Sequence, residues 1–355
     1  METIIIISSL CFVGGTLALK KCSDCKNYDE CPAIKIFKRR DGTIPLDDNT
    51  ILLIRKEICG TDEISDTKQI CCSSFEDNFI KVHPNLELLP KRCGNYDGNR
   101  IIGGKIADIL EFPWMALIAP VDYKSRGFMC GGSIIQKHYI LTAGHCVHNK
   151  MIGFVRVGEY DMNTTKDCQF GYCANYTKDI SVEKVHVHPD YAGMPNLAND
   201  IALLRLAEPI DLNQDNIDAV CLPTTPTLRQ QSLLNGTAFV AGWGLTENKT
   251  SSSILLKANL TVNSNDNCLK LYNRFPAEGQ PKYTENKLCA GRTATGTCTG
   301  DSGGPLMLPK WFNRGFKYVQ YGIISEGKSG CGSDFPELFT DVTKYMSWIL
   351  NTIAK

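Results

Sequence analysis

Gly300-Asp301-Ser302-Gly303-Gly304-Pro305 decides the reading of this chain, because Thr142-Ala143-Gly144-His145-Cys146 and Asn199-Asp200-Ile201-Ala202-Leu203-Leu204 precede it in that order. Together the three stretches supply a histidine, an aspartate and a serine. A serine hydroxyl is a weak nucleophile until a base takes its proton and a carboxylate holds that base in one tautomer. His145, Asp200 and Ser302 form such a set: His145 is general base and then acid, Asp200 orients it, and Ser302 attacks. The glycines beside Ser302 let the backbone N–H groups of Gly300 and Ser302 point at one spot, where the oxyanion of a tetrahedral intermediate would sit. The implied chemistry is acyl transfer through a covalent intermediate.

Composition sets the compartment. With 355 residues, 43% of them hydrophobic, the chain can bury one large core or two and still hold a small module. Lys plus Arg equals Asp plus Glu, 38 against 38, so no global charge points to nucleic acid or a membrane surface. Seventeen cysteines are too many for a reducing compartment unless they bind metal, and their spacings lack the paired Cys-x-x-Cys sets of zinc sites. Disulfides are the better reading. Residues 1–18 hold the apolar runs Ile4 to Ile7 and Leu10 to Val13, as in a secretory signal peptide, although Glu2 stands where a basic residue is usual. Its removal discards Cys11 and leaves sixteen cysteines, an even number. No other apolar stretch reaches transmembrane length, so a secreted, extracellular protein without a membrane span is expected.

Within residues 19–72, Cys22, Cys25, Cys31, Cys59, Cys71 and Cys72 crowd a segment poor in core-forming aromatics, which needs staples to fold. Six cysteines allow fifteen connectivities, and spacing does not choose among them. Residues 73–100 carry Pro84, Pro90 and a turn-rich Gly94-Asn95-Tyr96-Asp97-Gly98-Asn99 stretch without sustained periodicity, and read as a linker. From Ile101 onward, short apolar runs such as Trp114 to Ala119, Ile134 to Leu141 and Phe239 to Trp243 alternate with turn residues, predicting an all-β domain over 101–355. Val342, Tyr345, Met346, Ile349 and Leu350 fall at helical spacing and predict one amphipathic closing helix. His83, His138, His148, His186 and His188 have no spacing that argues for metal.

The three motifs, with Ile101-Ile102-Gly103-Gly104, Cys130-Gly131-Gly132-Ser133, Ala219-Val220-Cys221-Leu222-Pro223 and Ala241-Gly242-Trp243-Gly244, make the chain from Ile101 to near its C-terminus resemble the chymotrypsin-like serine proteases. Gly144 stands where that family usually has Ala, a small change not expected to disturb His145. The resemblance implies two antiparallel β-barrels with a C-terminal helix. The six-cysteine segment ending in Cys71-Cys72 resembles the clip domain of arthropod serine proteases, which implies Cys22 with Cys71, Cys25 with Cys59, and Cys31 with Cys72. For the rest the resemblance implies Cys93 with Cys221, Cys130 with Cys146, Cys268 with Cys289, and Cys298 with Cys331. Cys168 and Cys173 remain, and their closeness suggests a small local loop.

The same resemblance implies a secreted zymogen of a serine endopeptidase in an extracellular cascade such as Toll or prophenoloxidase activation. Its partners would be a protein substrate, such as a downstream zymogen, an upstream activating protease and a serpin-type inhibitor. Cleavage after Arg100 would free an amino group on Ile101 that pairs with Asp301. The specificity pocket would involve Gly296, Ser325, Gly327 and Glu337. Gly296 stands where trypsin-like relatives carry an acid, so efficient self-cleavage after Arg100 is not expected and a trypsin-like activator is. Glu337 replaces a wall glycine and brings a carboxylate from the side; the alternatives are that it fills the pocket or faces solvent. Ser325-Glu326-Gly327 replaces Ser-Trp-Gly and loses a ring that floors the substrate channel.

Glu159, Asp161, Thr164 and Asp167 cluster oxygen ligands in a segment that aligns with the family's calcium loop, so structural calcium and no organic cofactor is expected. Asn163, Asn175, Asn235, Asn248 and Asn259 begin Asn-x-Thr sequons. The rival reading is a non-catalytic clip-domain homologue acting as a binding cofactor; such relatives usually lack the nucleophile, which Ser302 supplies here.

Overall fold

A computed structural model describes residues 19–35, 48–62, 67–95, 106–174, 176–193, 197–245, 250–274, 286–291, 300–326 and 336–353. The chain divides into two compact units. One holds the residues up to Leu86 together with Thr224–Arg229 and the chain from Lys344 onward; the other holds Glu87–Pro223 and Gln230–Thr343.

In the first unit, β1 (Cys25–Asn27), β2 (Ile58–Thr61) and β3 (Lys68–Cys71) form an antiparallel sheet in the order β1-β3-β2. Its core gathers Ile34, Ile54, Ile70, Phe75 and Phe79 around Cys31 and Cys72. So small a core gains much from loop closure, and three disulfides provide it: Cys22–Cys71, Cys25–Cys59 and Cys31–Cys72. The segment from Ser73, read from sequence as the start of a linker, begins instead as a helix, Cys72–Val82. Phe75 and Phe79 stand one turn apart on that helix and, with Ile80, are buried, while the polar residues between them hid the period.

The helix Met346–Thr352 closes the chain, preceded by a 3-10 turn over Val342–Tyr345. Met346, Trp348, Ile349 and Leu350 are buried there. Within the unit, the Ser347 hydroxyl donates to Glu76 Oε1 at 3.1 Å, and Asn85 Nδ2 donates to the carbonyls of Leu350 and Ile353 at 3.0 and 2.8 Å. The Arg229 guanidinium pairs with Asp77.

The larger unit is all-β in two parts. β4 (Met115–Pro120), β5 (Cys130–Gln136), β6 (Tyr139–Thr142) and β7 (Ile152–Val157) are followed by the hairpin β8 (Asp167–Gln169) and β9 (Tyr172–Ala174), then β10 (Lys178–Val187) and β11 (Ala202–Leu206). Six of these close a barrel in the order β10-β11-β6-β5-β4-β7. Every residue of β4, β5 and β6 is buried. The second part is one antiparallel sheet of β12 (Thr237–Gly242), β13 (Leu256–Thr261), β14 (Lys287–Ala290), β15 (Pro305–Phe312), β16 (Gly315–Glu326) and β17 (Glu337–Asp341), in the order β13-β12-β15-β16-β17-β14.

This second sheet curls until its edges meet: Val262 bridges Ala290, and the Asn263 N–H donates to the Cys289 carbonyl at 2.8 Å. The expected pair of barrels is thus one closed barrel and one curled sheet. The two parts pack through Trp114, whose ring meets Tyr318 at 5.6 Å and whose Nε1–H donates to Met307 Sδ at 2.9 Å, and through Ser133, whose hydroxyl donates to Gln320 Oε1 at 2.6 Å. Disulfides Cys93–Cys221, Cys130–Cys146, Cys168–Cys173 and Cys268–Cys289 brace the unit, while Cys298 and Cys331 lie outside the described residues.

Candidate active site

Strand register brings the histidine and the aspartate together. β6 and β11 run antiparallel with Thr142 opposite Ala202, so the chain just after β6 and the chain just before β11 emerge at the same end of the barrel. His145 sits there on a one-turn helix, Gly144–Val147, and Asp200 follows Asn199, whose φ of 55° turns the chain into the strand. The His145 backbone N–H donates to Asp200 Oδ1 at 2.7 Å, and His145 Nδ1 lies 2.8 Å from Asp200 Oδ2. Asp200 is fully buried and His145 keeps part of its ring exposed. The Cys130–Cys146 bridge ties the residue after His145 back to β5.

Behind the aspartate lies a buried polar cluster from three adjacent strands. The Ser325 hydroxyl on β16 donates to Asp200 Oδ2 at 2.5 Å, and the Thr340 hydroxyl on β17 donates to the Asp200 backbone carbonyl at 2.8 Å. Lys287 on β14 donates from Nζ to Ser325 Oγ at 2.6 Å and to Thr340 Oγ1 at 3.1 Å. Burial alone would push the Asp200 carboxyl up. The hydrogen bond and charge of His145, the Lys287 charge and the Ser325 hydroxyl outweigh it and hold the group below the ordinary carboxylate range. Ser325, assigned to the specificity pocket from sequence, therefore has its hydroxyl on the aspartate. Lys287 was not singled out from sequence, although a signal existed: strand alternation puts it on the same face as the buried, bridged Cys289.

Directions of donation follow from chemistry. An ammonium has no lone pair to offer, so Ser325 accepts from Lys287 and points its own proton at Asp200. The ionised carboxylate only accepts, so the proton shared with His145 belongs to Nδ1, and Nε2, the other ring nitrogen, lies 3.7 Å from the bridged Cys146 Sγ.

Ser302 is seated by backbone contacts to the first barrel. Its carbonyl accepts from the Gly131 N–H at 2.8 Å, and Gly303, at φ 82°, packs where a Cβ would come within 2.2 Å of Thr142 Oγ1 and 3.2 Å of Cys146 Sγ. Gly300 takes φ 104°, a conformation that side chains rarely adopt. Among the described residues no hydrogen bond links Ser302 Oγ to His145 Nε2, and neither the Gly300 nor the Ser302 N–H has a backbone partner. Asp301 Oδ1 accepts from the Gly244 N–H at 2.8 Å, and a Cβ built at Gly242 or Gly244 would lie 2.1 or 2.6 Å from the Asp301 side chain.

Arg100, Ile101, Gly296 and Gly327 lie outside the described residues, as do Asn175 and Asn248. Glu337 opens β17 opposite Ala290 and is half-buried. Asn163 and Asn235 are exposed, and Asn259 is half-buried on the edge strand β13. In the expected calcium segment the Thr164 hydroxyl donates to Asp167 Oδ1, while Asp161 Oδ1 accepts the Asn163 N–H at 3.1 Å. The Glu159 side chain is buried; burial first, and the charge of Asp167, push its carboxyl up against the opposing pull of Arg156. Two mutually repelling carboxylates beside a hydroxyl suit a hard divalent cation in chemistry. No three acidic groups converge within 4.8 Å among the described residues.

The family model for trypsin matches residues 101–349. The chain is 36% identical over 336 residues to serine protease ea of Drosophila melanogaster, covering 88% of this chain and 84% of that one. It is 34% identical to the CLIP domain-containing serine protease HP8 of Bombyx mori, over 100% of this chain and 99% of that one. Among solved structures, the drosophila Grass clip serine protease of the Toll pathway superposes with a TM-score of 0.66 at 30% identity, covering 92% and 93% of the two chains. The chain belongs to the trypsin family of serine proteases, among its arthropod clip-domain members.

Proposed function

We propose that this chain is the secreted zymogen of a serine endopeptidase that acts in an extracellular proteolytic cascade. The observation that carries the reading is the pairing of His145 Nδ1 with the buried Asp200 carboxylate at 2.8 Å, beside a turn that holds Ser302 by the Gly131 N–H and packs Gly303 onto Thr142 and Cys146. In the reaction, Nε2 takes the proton of Ser302 Oγ as the oxygen bonds to the scissile carbonyl. Asp200 stays ionised and holds the imidazolium, and the Gly300 and Ser302 N–H groups take the oxyanion. The imidazolium then gives its proton to the leaving amine, and water repeats the sequence to free the acid. Contacts between base and nucleophile are commonly looser before substrate binds than in the Michaelis complex.

Activation follows from cleavage after Arg100, which puts a new ammonium on Ile101 to pair with Asp301. Because Gly296 stands in the sequence where trypsin-like relatives carry an acid, a separate trypsin-like protease makes that cut. The substrate is a protein, and a downstream zymogen fits a cascade role of the kind held by drosophila Grass, a clip serine protease of the Toll pathway. The test is to cut the secreted chain after Arg100 and expose it to a fluorophosphonate. Labelling that Ser302→Ala abolishes is expected; a cleaved, folded chain that takes no label would return the binding-cofactor reading.

The same reading takes calcium as a structural ion held by Glu159 and Asp167, with Thr164 and the Asp161 segment adding oxygens. Calcium should then raise Tm by about 2–5 °C over the chelated protein, and Asp167→Ala should remove the response. An equal Tm with and without calcium would discard the ion.

A further inference from the structure

A lysine buried to 2% exposure behind a catalytic-type aspartate calls for an account. An ammonium out of water is costly unless it is both hydrogen-bonded and near opposite charge. Two fully enclosed hydroxyls, Ser325 Oγ and Thr340 Oγ1, meet the first need, and each of them is itself bonded to Asp200, one at the carboxylate and one at the backbone carbonyl. Lys287 is thus wired to the aspartate twice through single hydroxyls.

We propose that Lys287 is a positioning residue of the catalytic line, whose ammonium fixes the direction of the Ser325 hydroxyl and offsets the charge of Asp200, making His145 easier to deprotonate. The inference rests on the serine-endopeptidase reading. Its physical content is that a carboxylate partly neutralised from behind attracts a proton on the imidazole less than a lone carboxylate does. The Lys287 charge is among the influences that keep Asp200 ionised, which agrees with the geometry.

The charged and titratable groups around this line come from five elements. Asp200 precedes β11 and His145 stands on its one-turn helix. Lys150, after that helix, donates to the His145 carbonyl at 3.0 Å. Tyr191 lies where a Cβ at Gly144 would be 3.3 Å from its ring, and Asp341 follows Thr340 on β17 with its Oδ1 taken by the N–H and hydroxyl of Thr343. Of these two lysines, Lys287 reaches the carboxylate through the Ser325 hydroxyl, whereas Lys150 bonds the His145 carbonyl.

The test uses the full chain cut after Arg100, with Lys287→Met, which keeps length without charge, and Lys287→Arg, which keeps charge. Active sites are counted by fluorophosphonate labelling, and kcat/KM on an amide substrate is followed against pH. For Lys287→Met the acidic limb should move up by roughly 0.5–1 pH unit, so that activity near pH 6 falls about 3- to 10-fold relative to the plateau, and Lys287→Arg should restore the limb toward the unaltered position. A titrated Met variant whose limb does not move overturns the proposal. Absence of label in the unaltered enzyme would overturn the endopeptidase reading, a separate outcome. Should the variants fail to fold, the unaltered enzyme decides with 15N-labelled lysine. The Lys287 ammonium signal should shift as His145 titrates, and a signal indifferent to that titration overturns the proposal.

Discussion

The closed barrel and the curled sheet contribute to the candidate site with different materials. From the barrel come His145 and Asp200, held by strand register, by a backbone N–H on the carboxylate and by a disulfide one residue away. From the sheet come Ser302 on a glycine-lined turn and, on three neighbouring strands, Ser325, Thr340 and Lys287, which touch Asp200 or one another through side chains. The first kind of contact fixes position; the second sets charge and proton direction. A change in the barrel should therefore misplace the base, whereas a change in the polar backing should leave geometry intact and retune it.

The sharpest way to break this contrast is Asp200→Asn, which keeps shape but invites the wrong imidazole tautomer; kcat should fall by about 10⁴-fold, as in the triad template of this family, measured on protein shown to be folded at pH 7. Next comes Gly303→Ala, whose methyl would lie 2.2 Å from Thr142 Oγ1 and 2.5 Å from the Gly131 carbonyl. Moving the nucleophile's turn by about 1 Å should cost about 10²-fold in kcat/KM. Ser325→Ala removes one donor to a charged acceptor and should lower kcat about 10-fold with KM nearly unchanged. Retention of full kcat would mean that the backing carries no catalytic weight. Gly144→Ala should change kcat/KM by less than about 3-fold, because the added Cβ meets Asp200 Oδ1 at 3.2 Å and the Tyr191 ring at 3.3 Å, a crowding that small shifts relieve.

Acid adds a further test of the same seam. Asp200 is held below the ordinary carboxylate range, so its ionised form contributes stability that is present above about pH 4 and lost as pH falls through its folded value. Tm of the unaltered protein should therefore drop more steeply below pH 4 than Tm of Asp200→Asn, as scanning calorimetry would show. Parallel curves would mean that His145 and the sheet's backing do not stabilise the carboxylate.

Much of the fold was legible because its signals are local. Apolar runs such as Ile134 to Leu141 and Phe239 to Trp243 lie over β5, β6 and β12, and Val342 to Leu350 marks the closing turn and helix. The Cys72–Val82 helix escaped notice because Ser73, Ser74, Glu76, Asp77 and Asn78 made its apolar stripe narrow, and its Phe75 and Phe79 find their place in the small disulfide-bound core. In the site, residues carried by motifs could be named, but the cluster joined only by sheet topology could not: Ser325 reads from sequence as pocket lining, and Lys287 and Thr340 carry no catalytic motif. Lys287, Ser325 and Thr340 are far apart in the chain and become neighbours because β14, β17 and β16 lie side by side. A lysine before Leu-Cys reads as a surface residue until the alternation with Cys289 is followed inward.

The glycine pair around Trp243 has a consequence for how the Ala241-Gly242-Trp243-Gly244 motif should be understood. Gly242 and Gly244 are the mould in which the Asp301 side chain is cast, since a single carbon on either would occupy the space of that side chain. The motif thus records, nearly sixty residues upstream, the berth of the acid beside Ser302. A methyl group grafted there would evict the acid, and with it the partner that the proposed activation gives to the Ile101 ammonium.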